Sequence, residues 1–487
     1  MENKQIIRRK NILSGNLWKT VLVIIAPLAL YQLFNSFYSL IDAAICAQIS
    51  TGAQTKVVAI NQIKSTISAF GAGLAAGGAV LVSRKYGAGD VKDARYTASN
   101  MIFMALILSA ILCLIMIPLA YPILLICAVP NADSSEVILY FSLQLVELVF
   151  VSINNCFIGL EKVKGNSKNI MFLNLLVLVI KISLTCLFVF GLDLKNIIFV
   201  EVATIIAQAL LTFIGLYIMF NKKNILHADI KMLLPKKAYV LPILKLSIPI
   251  FLGKFVMSLG KVIVNSMCGH FWNDYTSDVV IGSLIVGTLG VSNNICGLIT
   301  SPTNSFEEGE STIVSQNLGN GNMKRAIKAF IITLIYVSIV SFLGYILMRF
   351  IFINQLIELF SSPDEDAEIY KSMVKQIFVW DSLSIPSLGI AAAVLGLLYG
   401  YGQTKLSTIL NLSRIGSRII ILLICHYSAP DMSPTLCAGL SMGISNTVIL
   451  LISVLFLVGF LLKIKKNGYM GMHFSDPEPD VSELKFE

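Results

Sequence analysis

Charge is scarce in this sequence, and so are the residues that build catalytic or metal centres. Asp, Glu, Lys and Arg make up 13% of its 487 residues, where a soluble protein carries about 25%. That shortage excludes a water-soluble domain. Histidine is scarcer still: His227, His270, His426 and His473 are the full set, each at a loop, a span end or the tail. With no H-E-x-x-H motif and no Ser–His pair at membrane depth, an intramembrane enzyme is not expected. The nine cysteines include no C-x-x-C pair, which argues against a zinc site or a disulfide framework. Most lie in or beside apolar runs and read as free thiols serving as small apolar residues. The net charge of +9 is dispersed in short clusters, without the continuous basic face that nucleic acid requires. A ring-forming filter repeat, the mark of a channel, is also missing.

Apolar residues fill the space, at 56% of the chain. A bilayer-spanning helix needs roughly 20 of them in succession. Polar and turn-rich stretches divide the chain into twelve such segments, near 18–48, 57–84, 96–127, 136–160, 168–192, 196–220, 241–270, 279–316, 326–355, 372–399, 405–427 and 433–464. The first run is far too long for the apolar part of a signal peptide and reads as a retained span. The fold class is therefore an all-α polytopic membrane protein. One set of loops carries sixteen basic residues, among them Arg84, Lys85, Lys162, Lys236 and Arg325, and the other only Lys56, Lys195, Lys371 and Lys375. Because cytoplasmic loops hold the excess of Lys and Arg, both termini are expected in the cytoplasm, with the chain in the plasma (inner) membrane. The acidic loop Pro363–Asp366 then falls outside, and the polar segment from Phe474 to Glu487 reads as a disordered tail.

An internal repeat organises the spans. Gly77 to Gly89 recurs as Gly309 to Gly321 at an offset of 232 without a gap, followed by matching Lys92/Lys324 and Ala94/Ala326. Gly159, Leu160, Gly165, Lys168, Asn174 and Lys181 recur as Gly396, Leu397, Gly402, Lys405, Asn411 and Arg418 at 237. Pro27, Ser36 and Cys46 recur more weakly as Pro249, Ser258 and Cys268 at 222. The growing offset requires extra residues in the second half, most simply in the loop from His270 to Thr276. The expected organisation is an N-terminal segment 1–17, a first lobe 18–220 with spans 1–6, a linker 221–240, a second lobe 241–464 with spans 7–12, and a tail 465–487. An even number of spans per copy makes the repeat parallel, about an axis along the membrane normal. Such bundles commonly rock about a central cavity, here bounded by spans 1, 2, 7 and 8. The alternative is a static duplicated scaffold. The glycines closing spans 2 and 8 are read as exit-turn residues that adopt positive φ.

At these motifs the sequence resembles the multidrug and toxic compound extrusion (MATE) transporters, in a wider superfamily that includes lipid-linked oligosaccharide flippases. The resemblance covers about residues 15–465. It rests on Val82-Ser83…Gly87-x-Gly89 and Val314 to Asn322 after spans 2 and 8, on the turns Gly165 to Lys168 and Gly402 to Lys405, and on Tyr38-Ser39-Leu40-Ile41-Asp42 of span 1. It implies twelve helices in two alternately opening lobes, with efflux of small organic, amphiphilic compounds driven by H⁺ or Na⁺. The expected partners are a small-molecule substrate and membrane lipids, the chain acting as a monomer without cofactor or bound metal.

Charges within the spans are the sharper signal, because an ionisable group at mid-bilayer costs at least about 2.5–3.5 kcal/mol and generally faces a cavity or a partner. In the first half these are Asp42, Lys64, Glu147 and Lys181; in the second, Lys254, Lys261, Glu307, Glu308, Glu310, Asp381, Arg414 and Arg418. Asn35, Tyr38, Ser39 and Asp42 form one polar stripe on span 1. In the family, an acid at the position of Asp42 is associated with ion coupling, so the resemblance assigns that role to Asp42, with Tyr38, Asn35, Lys181 and Glu147 around it. A structural ion pair between Asp42 and Lys181 is the alternative. Lys181 departs from the family, where many members carry Asn, and could stand as a tethered cation that favours protons over sodium or suits an anionic substrate. The second charge network comprises Lys254, Glu307, Glu308, Glu310, Asp381, Arg414 and Arg418. Depth suggests contacts of Lys181 with Asp42 or Glu147, and of Arg418 with Asp381. Asn174 and Asn411 either pack between helices or line the cavity. A flippase for a lipid-linked or anionic substrate is the second functional reading, since the extra bases suit phosphate or carboxylate.

Overall fold

Lipid offers no hydrogen bonds, so a spanning backbone must satisfy its own, which helices do. A computed structural model of the chain describes residues 2–49, 53–127, 129, 132–271, 281–360, 367–429 and 431–468, and its regular elements there are all helical. Several sequence expectations lie outside the described residues: the extra loop beyond Phe271, the acidic loop at Pro363–Asp366 and the tail beyond Gly468.

The first half runs α1 (Glu2–Ser14), α2 (Leu17–Ile49), α3 (Ala53–Ala88), α4 (Val91–Met116), the short α5 (Ala120–Ile126), α6 (Ser135–Val163), α7 (Ser167–Cys186) and α8 (Ile197–Phe220). A short α9 (Ile230–Leu233) leads into α10 (Lys237–Phe271), α11 (Ile281–Gly319), α12 (Met323–Ile346), α13 (Ile353–Phe360), α14 (Ala367–Asp381), α15 (Ser384–Gly400), α16 (Lys405–Ser428) and α17 (Pro434–Asn467). Among the described residues, eleven helical stretches are long and apolar enough to cross a membrane. The twelfth span is α11, 39 residues long and more polar because one side of it borders a cavity. Large apolar side chains such as Leu114, Phe213 and Leu455 are about 70% exposed on the outside of the bundle, the surface that an integral membrane protein turns to lipid.

Two differences from the sequence reading have clear causes. Span 10 is broken into α14 and α15 at Ser382 and Leu383. Pro386 follows closely and has no N–H for the helical ladder. Arg349, at the end of span 9, supports the break by donating to the Val379 carbonyl and, at 2.9 Å, to Ser382 Oγ. The N-terminal segment, given no structure from sequence, is the helix α1.

The glycines after spans 2 and 8 divide their labour. Gly89 and Gly321 take positive φ, +92° and +72°, as expected for turns, and the next residues, Asp90 and Asn322, cap α4 and α12 by accepting from the N–H groups of Asp93 and Arg325. Gly87 and Gly319 remain helical, which corrects the turn reading for them. They permit α3 and α11 to cross backbone against backbone. A Cβ on Gly87 would stand 2.1 Å from the Gln316 carbonyl oxygen, and one on Gly319 would stand 2.0 Å from that of Arg84. Arg84 and Gln316 are themselves related by the offset of 232, so the contact is reciprocal about the axis of the repeat.

Around this crossing the halves are bonded at one end of the molecule, the end carrying the basic loops. Ser315 Oγ donates to the Val80 carbonyl at 2.7 Å, and Gln316 Nε2 to that of Val163 at 2.6 Å. Lys162 pairs with Glu308 across the halves. Helix α1 lies over the seam: Arg8 donates to Asn166 Oδ1 at 2.7 Å and Arg9 to the Gly87 carbonyl at 3.2 Å. From the other half, Arg325 Nη2 reaches the carbonyls of Gly15 at 2.6 Å and Ile12 at 3.1 Å. Lys164, in the turn after α6, is buried beside Glu161 and donates to Asn224 Oδ1 at 3.0 Å. Burial holds its pKa below the ordinary lysine value, and the Glu161 charge only partly opposes this. The unfolded chain then binds that proton more tightly than the folded one, so this group's contribution to stability rises as pH climbs from the depressed value to the ordinary one.

Gly87→Ala and Gly319→Ala should each force the crossing apart. Hydrogen exchange is expected to quicken severalfold in residues 2–14 and around both glycines, with a smaller effect in the outer halves of the spans. Unchanged exchange in both variants would show that the backbones have room to spare.

Candidate functional site

Two polar regions lie inside the bundle. The first is enclosed by α3, α6 and α8. Lys64 pairs with Glu147 and lies 3.7 Å from Glu201, so one ammonium serves two carboxylates. Gln144 Nε2 donates to Asn61 Oδ1 at 2.7 Å and to Tyr140 OH at 3.2 Å, and lies 3.5 Å from Glu201 Oε2. Glu147, Glu201 and Gln144 are each no more than 3% exposed. The contact expected between Lys181 and Glu147 is therefore taken by Lys64. Lys181 Nζ sits 4.3 Å from the centre of the Tyr38 ring, a cation–π contact of about 0.5–2 kcal/mol. Among the described residues no carboxylate lies within 4.0 Å of it. The side chain of Asp42 lies outside the described residues.

The second region is a central cavity of about 630 Å³ between the halves. Gln32 of α2, Ser65 of α3, Lys254 of α10, Asn293 of α11, Asp381 at the α14–α15 break and Asn411 of α16 border it. The four helices expected to bound the cleft do so, joined by three more spans of the second half, the broken span 10, α16 and α17. A smaller space of about 200 Å³ continues toward the basic end and takes in Asn35 and Lys162 as well as Glu307 and Glu308. Asn35 thus faces this space, away from the Lys64 cluster. Below it lies the seam of Gly87 and Gly319.

The remaining sequence candidates fall into place as follows. Lys254 is the cation nearest in effect to Glu307, while Glu308 is held by Lys162. Glu310 borders neither cavity; it is wholly buried against Gly396 of α15, and neither carboxyl oxygen has a hydrogen-bond partner. Arg418 bonds to Ser445 Oγ at 2.8 Å and Asn446 Oδ1 at 3.3 Å. Asp381 acts on it electrostatically without forming a direct pair, and instead accepts from Ser292 Oγ at 2.8 Å. The two asparagines of the repeat have parted: Asn174 donates to its own helix at the Ile170 carbonyl, 2.8 Å away, while Asn411 lines the cavity.

Sequence reasoning missed Glu201, Gln144 and Arg349. Glu201 and Arg349 interrupt apolar runs, Ile197 to Val202 and Ile346 to Ile353, so the cost argument that flagged Glu147 would have flagged them too. Lys162 was read as a loop residue, because its partner is brought near only by the packing of the halves. Among the described residues no group of three His, Cys, Asp or Glu could hold a metal ion, and the eight described cysteines are free.

The Lys64 cluster yields a stability test. Lys64→Met leaves two buried carboxylates without their cation and should cost about 3–5 kcal/mol, read as a lower midpoint of thermal unfolding. Adding Glu147→Gln should recover part of that loss. If the double variant is no more stable than the single one, the pair is not an energetic unit.

Comparison with known proteins gives consistent results. The sequence profile of the MatE family matches residues 27–187 and 249–424. The multidrug export protein MepA of Staphylococcus haemolyticus is 21% identical over 406 residues, covering 82% of this chain and 85% of that protein. Among solved structures, a MOP superfamily transporter from Pyrococcus furiosus Vc1, described as having a binding pocket of reverse polarity, superposes with a TM-score of 0.85. It is 18% identical, with 94% of this chain and 98% of that one covered. A multidrug resistance MATE family transporter in an outward-facing conformation superposes with a TM-score of 0.82, again at 18% identity and with 94% and 98% covered.

Proposed function

The chain belongs to the MatE family of efflux transporters, an integral membrane protein and not an enzyme, and from that premise we propose that it exports small amphiphilic organic compounds by alternating access, coupled to proton entry. The observation that carries this reading is the cavity of about 630 Å³ lined by both halves of the repeat, with a bonded seam at one end. Its volume suits a small organic molecule. Seams of small residues and hydrogen bonds can part and re-form, as a rocking motion about the repeat axis requires. The basic end is cytoplasmic in this reading, in a plasma (inner) membrane, so the described conformation is closed to the cytoplasm. The chain works as a monomer.

Two features support proton coupling. Lys64 neutralises one of its two carboxylates, leaving one negative charge in the cluster that a proton can titrate. Lys181 rests on the Tyr38 ring one helical turn before Asp42, where its charge would oppose a bound Na⁺ and stabilise an ionised carboxylate. Making and breaking that relation as the lobes move would load and unload a proton.

The test is transport by the purified chain in liposomes, with pH and Na⁺ gradients imposed separately. Export should follow the pH gradient at fixed Na⁺. Asp42→Asn should abolish gradient-driven export while leaving substrate binding measurable. Normal export by Asp42→Asn would move coupling to Glu307, Glu308 and Glu310, and export that needs Na⁺ and ignores pH would remove the proton assignment.

A further inference from the structure

One wall of the central cavity is short of acceptors. Lys261 of α10 and Arg414 of α16 border the space, and Arg418 lies buried one turn beyond Arg414. Asn446 spends its single oxygen on both guanidinium groups, at 3.0 Å from Arg414 Nε and 3.3 Å from Arg418 Nη2, which leaves its own Nδ2 buried without a partner. Arg414 Nη1 finds only the Met257 sulfur, at 3.8 Å, and a thioether is a weak acceptor. Lys261 has no ion pair within 4.0 Å among the described residues. Arg414 and Arg418 are the cations that act on it, and among the described residues Asp381 is the acid that does. Three cations thus share one carboxylate, and Asp381 has already accepted from Ser292.

Two of the three cations, Arg414 and Arg418, are almost wholly buried, and buried positive charge in surplus is costly. Adding a proton or Na⁺ to Asp381 would increase it, whereas an anion offsets it. We propose that this wall is an anion subsite. The cargo is an amphiphilic organic anion whose carboxylate, phosphate or sulfonate group sits between Lys261 and Arg414, with its apolar body against Leu388, Leu395 and Ile449, which line the same cavity. The Lys254–Glu307 side, where acids and bases balance, takes the neutral remainder. This inference relies on the export reading for calling the occupant a cargo, and on nothing else from it.

Binding is measured on the full-length chain in detergent by fluorescence anisotropy, with fluorescein and a cationic rhodamine methyl ester. The two share the xanthene frame and carry opposite charge. Fluorescein should bind at least about tenfold more tightly, with an affinity that falls as salt is added. Lys261 has no partner to strand, so Lys261→Met should fold normally; it should weaken fluorescein about tenfold, leave the rhodamine unchanged or tighter, and be restored by Lys261→Arg. Equal or tighter rhodamine binding by the unmodified chain, or fluorescein binding indifferent to Lys261→Met, would overturn the proposal. Fluorescein that binds but is never moved across gradient-loaded liposomes sustains the subsite and removes export. Rhodamine exported by a chain that does not bind fluorescein does the reverse.

Discussion

The rest of the molecule depends on a contact between two backbones. Where α3 and α11 cross, Gly87 meets the carbonyl of Gln316 and Gly319 meets that of Arg84, with no side chain between them. Because the four positions are two copies of one pair, closing either contact closes the other. The crossing sets how near the halves can approach, and so the floor of the cavity. It brings Lys162 to Glu308 and Ser315 to Val80. Anything with a Cβ there would hold the halves apart and dissolve every bond around it.

Buried charge has been handled differently in the two halves. In the first, Glu147 and Glu201 are closed among helices around Lys64, which offsets one of their two charges, while Lys181 finds an aromatic face. In the second, Lys254, Lys261, Asp381 and Arg414 border the cavity. The repeat makes this divergence plain, since Lys181 and Arg418 occupy the same place in each copy. One rests on Tyr38, and the other is fixed by Ser445 and Asn446. A common scaffold has acquired one half suited to storing charge and another suited to showing it.

Much of the scaffold was legible in the residues. Long apolar runs reveal helices because lipid leaves the backbone no other choice, and the offset of 232 reveals the duplication because the turns after spans 2 and 8 each need a glycine and a capping side chain, Gly89 and Asp90 in one copy and Gly321 and Asn322 in the other. The pairing of charges was less legible. Helical depth placed Lys181 and Glu147 at one level, but depth says nothing of which helices are neighbours, and Lys64 of α3 stands closer. The role of α1 left no trace, since most of its bonds run through the carbonyls of Asn11, Ile12 and Gly15, and a carbonyl is the same in every residue. The break at Asp381 was signalled by Pro386 and overlooked, because the apolar run continues across it.

Those carbonyl bonds also bear on how the protein is made. Gly15 is held by an arginine 310 residues further along the chain, so α1 emerges long before its clasp exists. Through the insertion of the whole first half and of the first two spans of the second, the N-terminal helix has only half of its seat, offered by Asn166, Gly87 and the Ile225 amide. The seat of α1 at the basic end is therefore completed only after eight spans have been made, long after α1 itself.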